Sequence, residues 1–176
     1  MSGKRRIDRI LNRGYASDLE GRTIEQIRAM REECAEEEAL VSYERRLLHG
    51  RLAVVRFEID RRAGKVEGSV IDMLPQILAD ERGPSRGAFP GKDPDLEAFR
   101  EPTRRISKLL SDDTLTSLPT LSDDELRDRL RALEEAEREV SDVRASLLPI
   151  LDALNEEIGR RYKSGEADPS DALSKH

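Results

Sequence analysis

The chain has 176 residues, of which 39% are charged and only 3% are aromatic, and its formal net charge is −6. This length allows one domain with tails, and the shortage of large apolar residues argues against a thick multilayer core. A net negative charge gives no reason to expect binding to DNA or to an anionic membrane. Frequent Glu, Arg, Leu and Ala with few aromatic residues is typical of long amphipathic helices, so the composition predicts an extended all-α protein.

The sequence offers no segment for membrane insertion and few residues for metal binding or catalysis. No apolar run approaches the roughly 18 residues of a membrane span, and no apolar signal-peptide core follows the basic N-terminus, so we expect a cytoplasmic protein. The single cysteine, Cys34, cannot form an internal disulfide, and with only two histidines it supplies no metal site. Because the sequence has no glycine-rich phosphate loop and no plausible catalytic triad, we expect that the protein is not an enzyme.

The N-terminal third of the chain is predicted to hold an arm and one long helix. Residues 1–20 are basic and weakly apolar, which predicts a flexible arm. A helix is predicted over about 23–63, because Thr23 and Gln26 have the spacing of a capping box and Gly64 can end the helix.

The middle of the chain is predicted to connect two long helices. Apolar residues at helical spacing predict short helices at about 68–80 and 96–111, on either side of a flexible link at about 81–95 that is rich in Pro and Gly. The second long helix is predicted over about 122–163. A polar tail, 165–176, follows it, so the helical domain covers 21–164.

The two long helices repeat each other at an offset of 99 residues. Twelve of 40 aligned positions are identical without a gap. In each helix one heptad series is apolar throughout, which predicts an antiparallel two-helix coiled-coil hairpin with short accessory helices in the connection. The two apolar series are Ile27, Cys34, Val41, Leu48 and Val55, and Leu126, Leu133, Val140, Leu147 and Leu154.

The other heptad series is interrupted by charge at the middle of each helix. Glu38 and Arg45, and their counterparts Glu137 and Arg144, occupy positions that a continuous seam would fill with Leu. Polar groups there lower stability unless they are paired. At about 100° per residue, five positions share one stripe on each helix. These are Glu38, Ser42, Arg45, His49 and Ala53 on the first, and Glu137, Ser141, Arg144, Leu148 and Asp152 on the second.

The chemistry of this stripe suits either a ligand or a second helix. An Arg offers a planar fork to guanine O6 and N7 or to phosphate, and a carboxylate accepts from guanine N1–H and N2–H. The alternative is an interhelical Glu–Arg network that sets the register of the two helices. Duplication of the whole stripe favours a ligand with twofold symmetry.

Each helix carries Glu-x3-Ser-x2-Arg once, and the second adds Asp152 at the last position of Glu-x3-Ser-x2-Arg-x3-Gln-x3-Asp. In this spacing the chain resembles the RsiG family, anti-sigma factors of filamentous actinobacteria that are activated by cyclic di-GMP. The segments EEALVSYERRLLHGRLAVVRFEIDRR, LPQILAD and EIGRRYKSGEA resemble that family's segments in the same order. The resemblance implies an antiparallel helical hairpin, a bound pair of cyclic di-GMP molecules, and sequestration of a sporulation-type sigma factor, WhiG, from RNA polymerase.

Seven of the ten motif positions match the family's pattern. The chain departs from it at His49 and Leu148, where the family has Gln, and at Ala53, where it has Asp. The cyclic di-GMP-binding residues that the resemblance implies are Glu38, Ser42, Arg45, His49, Glu137, Ser141, Arg144 and Asp152.

Two other hypotheses stand beside a nucleotide-controlled anti-sigma factor. In one, the stripe contacts the sigma factor directly and no ligand takes part. In the other, the chain is a coiled-coil scaffold that forms homodimers and has no affinity for a sigma factor.

Overall fold

The computed structural model describes residues 6–69, residue 72 and residues 117–167. In this part of the chain all regular structure is helical: a short helix α1 (Arg6–Ile10), two long helices α2 (Ile24–Arg62) and α3 (Asp123–Ser164), and a 3-10 turn (Leu118–Thr120). The two long helices pack against each other, which confirms the predicted all-α fold. The predicted accessory helices and the link between them lie almost entirely outside the described residues.

Both long helices begin at the capping boxes that the sequence predicts. The Thr23 N–H donates to Gln26 Oε1 at 3.0 Å, and the Gln26 N–H donates back to Thr23 Oγ1 at 3.3 Å. At the start of α3 the Ser122 N–H donates to Glu125 Oε2 at 2.7 Å, and the Glu125 N–H donates to Ser122 Oγ at 3.3 Å. Each box satisfies backbone N–H groups that have no carbonyl partner within the helix.

Both helices end near a glycine in the left-handed region, with φ 70° at Gly64 and 76° at Gly165. A residue with a Cβ is strained there, and glycine is not. After α2, the Lys65 N–H donates to the Asp60 carbonyl at 2.9 Å, which is the closing bond of a Schellman turn. The observed helix limits therefore differ by a single residue from the predicted 23–63 and 122–163.

The chain divides into two compact units, each with a part of α2 and a part of α3. Unit 1 is Met1–Ala39 with Val143–His176, and unit 2 is Leu40–Asp142. The two helices run antiparallel in each unit, because contacts join residues whose numbers rise along α2 and fall along α3. In unit 1, for example, the end of α3 contacts the segment before α2, and Arg144 contacts Glu38.

The core of each unit is the predicted apolar seam. All ten residues of that series are buried, and eight of them, including Leu48 and Leu147, are 0% exposed. Full burial of a Leu side chain stabilises a fold by about 1.5–3 kcal/mol relative to its exposure. The seam is narrow and charged residues surround it. Within the residues that the structure describes, no helix is both long and apolar enough to cross a membrane.

The N-terminal arm, predicted as flexible over residues 1–20, packs on α2 from Arg6 onward. Ile10 is 0% exposed, and the Tyr15 hydroxyl donates to Glu33 Oε2 at 2.8 Å. Arg6 Nη1 donates to Glu36 Oε2 at 2.9 Å. One buried side chain and a set of surface polar contacts therefore attach the arm to unit 1. The predicted domain limits themselves stay a prediction.

Candidate functional site

Unit 1 contains a partly buried ion pair that joins the two long helices. Arg144 Nε on α3 donates to Glu38 Oε1 on α2 at 2.8 Å. The Glu38 side chain is only 9% exposed and that of Arg144 is 27% exposed. The charge-assisted hydrogen bond from the guanidinium offsets part of the cost of burying this carboxylate. Burial, with added repulsion from Glu38, raises the pKa of the neighbouring Cys34 thiol to about 11.

Unit 2 contains a more open cluster around Glu137. The Glu137 Oε1 atom accepts from Ser141 Oγ at 2.7 Å and from His49 Nε2 at 3.0 Å, and it lies 3.7 Å from Arg45 Nη1. The imidazole Nε2 acts as the donor here because an ionised carboxylate only accepts. Burial would raise the pKa of Glu137, but the hydrogen bonds from Ser141 and His49, together with the charges of His49 and Arg45, outweigh the effect of burial, and the pKa lies below its ordinary value.

The two clusters are formed by equivalent residues of the two repeats. Glu38 aligns with Glu137 and Arg144 aligns with Arg45, so in each unit a Glu of one helix faces an Arg of the other. In both clusters the arginine is more exposed than the glutamate: 27% against 9% in unit 1, and 36% against 24% in unit 2. A ligand that approaches from solvent would therefore meet guanidinium donors before it met the carboxylates.

The other predicted residues take less central places. Ser42 lies on α2 in unit 2 and is half-buried, and Asp152 lies on α3 in unit 1 and is exposed. His49 is 45% exposed and joins the Glu137 cluster, whereas Leu148 and Ala53 bring no polar group. The structure thus brings Glu38 together with Arg144, and Glu137 together with three other predicted residues. The assignment of all eight residues to ligand binding stays a prediction.

A second charged feature was missed in the sequence, and it occurs in both units. Glu58 is 4% exposed and hydrogen bonds from Arg61 and Arg62 hold its pKa at about 2. Its counterpart Glu157 has a pKa of about 2 for the same reason, with Arg160 and Arg161 as the donors. The repeated pattern Glu-x2-Arg-Arg was the available signal. Its three residues are among the twelve identical positions of the repeat.

The residues described here contain no group of three or more His, Cys, Asp or Glu side chains that could hold a metal ion. The two long helices instead carry two Glu–Arg clusters. In each cluster a Glu of one helix faces an Arg of the other, and the cluster is partly open to solvent. The fold and the clusters define an all-α protein with a repeated polar site on its coiled-coil surface. Such a site is suited to binding.

The RsiG-like family model matches residues 13–78 and 112–176. These segments cover both long helices and most of the chain, which therefore belongs to the RsiG-like family. Membership suggests an anti-sigma factor with a sigma factor as its partner, and a regulatory protein in preference to an enzyme. No curated protein matches the chain.

Proposed function

We propose that this protein is an anti-sigma factor that sequesters a WhiG-type sigma factor under the control of cyclic di-GMP. The observation that carries the proposal is the repeated Glu–Arg pair, in which each arginine is more exposed than the glutamate that holds it. The guanidinium groups would bind guanine O6 and N7 or phosphate oxygens. A dinucleotide with two guanines matches a chain that carries the same cluster twice.

Burying the charge of Glu38 in unit 1 costs free energy, and this cost supports a functional role for Glu38. A Leu at position 38 would continue the apolar seam, and replacing a buried ion pair by apolar residues is often neutral or stabilising. Glu38 nevertheless occupies this position at 9% side-chain exposure, and the second repeat carries the same residue at Glu137. A role in binding would explain why a costly charge occurs in both repeats.

The alternative is an anti-sigma factor that needs no nucleotide. The exposure of His49, at 45%, and of Arg45, at 36%, favours this alternative because both groups could contact a partner protein directly. Leu148 and Ala53 also remove two hydrogen-bonding groups that the family's motif supplies. The two proposals differ in a single observable, which is whether the complex with the sigma factor requires cyclic di-GMP.

Size-exclusion chromatography of the full chain with a WhiG-type sigma factor tests the proposal. We expect co-elution in the presence of cyclic di-GMP and separate elution in its absence. Co-elution in both conditions would support the ligand-independent alternative. A concentration-dependent dimer that never binds the sigma factor would support the scaffold hypothesis and contradict both anti-sigma proposals.

Calorimetry with cyclic di-GMP tests the assignment of the site. Arg144→Lys and Arg45→Lys keep the charge but lose the planar fork, so we expect each to weaken nucleotide binding by about tenfold or more. Arg138→Ala, an exposed position on α3, is the matched control and should change nothing. Unchanged affinity in both lysine variants would reject the site.

A further inference from the structure

An arginine at the end of α3 binds the backbone that leads into α2, within unit 1. Arg161 Nη1 donates to the Arg22 carbonyl at 2.7 Å, and Nη2 donates to the carbonyls of Leu19 at 2.7 Å and Glu20 at 3.4 Å. Its Nε donates to Glu157 at 2.6 Å, which orients the guanidinium. Arg161 is 7% exposed, so these carbonyls replace water as its partners.

An arginine at the end of α2 makes the corresponding contacts within unit 2. Arg62 Nη1 donates to the Leu121 carbonyl at 2.7 Å, and Nη2 donates to the carbonyls of Leu118 at 3.1 Å and Pro119 at 3.4 Å. Its Nε donates to Glu58 at 2.7 Å. We call each set, an arginine with its glutamate and three carbonyls, an arginine clamp.

The two arginine clamps correspond position by position at the offset of 99 residues. The arginine and the glutamate are identical in the two repeats, whereas two of the three carbonyl residues differ: Glu20 aligns with Pro119, and Arg22 with Leu121. This is the pattern that a backbone contact produces, because any residue can supply a carbonyl but only arginine presents five donors in a rigid fork.

In each unit, the clamp and the Glu–Arg cluster are compatible with the same alignment of the two helices. In unit 1, sixteen residues lead from Arg22 to Glu38 and seventeen lead from Arg144 to Arg161. At a rise of 1.5 Å per residue these are about 24 and 26 Å, so a single antiparallel alignment satisfies both the clamp and the ion pair. In unit 2, the paths from Leu121 to the cluster and from the cluster to Arg62 have the same lengths.

An apolar seam alone does not define this alignment. A series with an apolar residue at every seventh position stays largely apolar when one helix slides by a heptad, so polar contacts are needed to select one register. The clamp is such a contact, since its acceptors belong to one short segment before the helix. We propose that Arg161 and Arg62 are positioning residues that set the register in which each unit presents its Glu–Arg cluster.

Spin-label distances within each unit test the proposal without any ligand. Labels at the exposed positions Ala29 and Glu156 report on unit 1, and labels at Arg46 and Glu139 report on unit 2, in a Cys34→Ala background. We expect Arg161→Gln to broaden the unit 1 distance distribution and to leave that of unit 2 unchanged, because each long helix is continuous and the Arg62 clamp still fixes the alignment of the helices in unit 2. Arg62→Gln should give the reverse result.

Neighbouring arginines provide matched controls. Arg160 shares Glu157 with Arg161 but otherwise pairs with Glu166, and Arg61 shares Glu58 with Arg62. Arg160→Gln and Arg61→Gln should therefore leave both distances as in the wild type. If Arg161→Gln lowers the helix content, Arg161→Lys is measured in its place, because a lysine keeps the charge but cannot span three carbonyls. A wild-type distance in every folded clamp variant would overturn the proposal.

The effect on cyclic di-GMP binding rests on the proposed function and is measured separately. We expect Arg161→Gln to weaken nucleotide binding by about tenfold, since the guanidinium and carboxylate of unit 1 would no longer be held in one geometry, and Arg160→Gln to have no effect. If the wild type binds no cyclic di-GMP, the proposed function fails while the spin-label distances still decide the role of the clamp.

Discussion

Units 1 and 2 are made from the same two repeats, yet they hold their central carboxylates differently. In unit 1, Glu38 is 9% exposed and Arg144 donates to it at 2.8 Å. In unit 2, Glu137 is 24% exposed, Arg45 is 3.7 Å away, and Ser141 and His49 supply the short hydrogen bonds. The seam leucines around both clusters are equally buried. The burial of the seam is therefore alike in the two units, whereas identical Glu, Ser and Arg residues make different contacts around the two central carboxylates.

The arm adds a second difference between the units. Glu33 and Glu37 on α2 bind basic residues of the arm in unit 1, whereas the aligned positions on α3, in unit 2, are Ala132 and Ala136. Two of the three glutamates that contact the arm are therefore specific to the first repeat, whereas the third, Glu36, aligns with Glu135. Unit 1 combines a more buried ion pair with an added ionic contact, and unit 2 has the more accessible polar cluster.

The largest effects should be equal in the two units. Leu147→Ala in unit 1 and Leu48→Ala in unit 2 each remove a fully buried side chain at aligned positions. We expect each to lower the free energy of unfolding by about 3 kcal/mol, within the usual range for a buried Leu→Ala change. Urea denaturation measures both, and a difference above about 1 kcal/mol between them would show that the seam is not equivalent in the two repeats.

The arginines of the two clusters should differ in their effect on stability. Arg144→Ala removes the hydrogen bond that stabilises a buried carboxylate, so we expect a loss of about 3 kcal/mol, at the lower end for a broken buried pair. Arg45→Ala should cost less than about 1 kcal/mol, because Glu137 keeps its bonds to Ser141 and His49. Arg138→Ala serves as the control in the same urea experiment. Equal losses for Arg144 and Arg45 would contradict the contrast between the clusters.

Much of the fold could be predicted from the sequence because its causes are local. Heptad spacing identified all ten buried seam residues, and the capping boxes and terminal glycines gave both long helices to within a residue. The pairing of Glu38 with Arg144 could not be predicted from the sequence, because it depends on the alignment of two helices that are far apart in the chain. The arginine clamps could not be predicted, because backbone carbonyls leave no residue-type signature and the repeated Glu-x2-Arg-Arg pattern does not show what its arginines contact.

A smaller effect is expected on the affinity for cyclic di-GMP, which Ala53→Asp should increase. Ala53 in unit 2 aligns with Asp152 in unit 1, so Ala53→Asp restores a carboxylate that could accept from guanine. We expect cyclic di-GMP to bind about tenfold more tightly, which corresponds to one added charge-assisted hydrogen bond of about 1.5 kcal/mol. Ala53→Asn is the control for side-chain size. If calorimetry gives the same affinity for Ala53→Asp and the wild type, position 53 does not face the ligand.

The smallest effect should be confined to the arm. Arg9 forms an ion pair with Glu33 across unit 1, but its side chain is 61% exposed, so the pair is screened by water and salt. We expect Arg9→Ala to lower the free energy of unfolding by less than about 1 kcal/mol in low salt, and the difference from the wild type to disappear in about 1 M salt, where the Debye length is about 3 Å. Arg13→Ala, also in the arm and exposed, is the control. A loss that persists in high salt would mean that Arg9 acts through packing around the buried Ile10, and the arm would then belong to the core of unit 1.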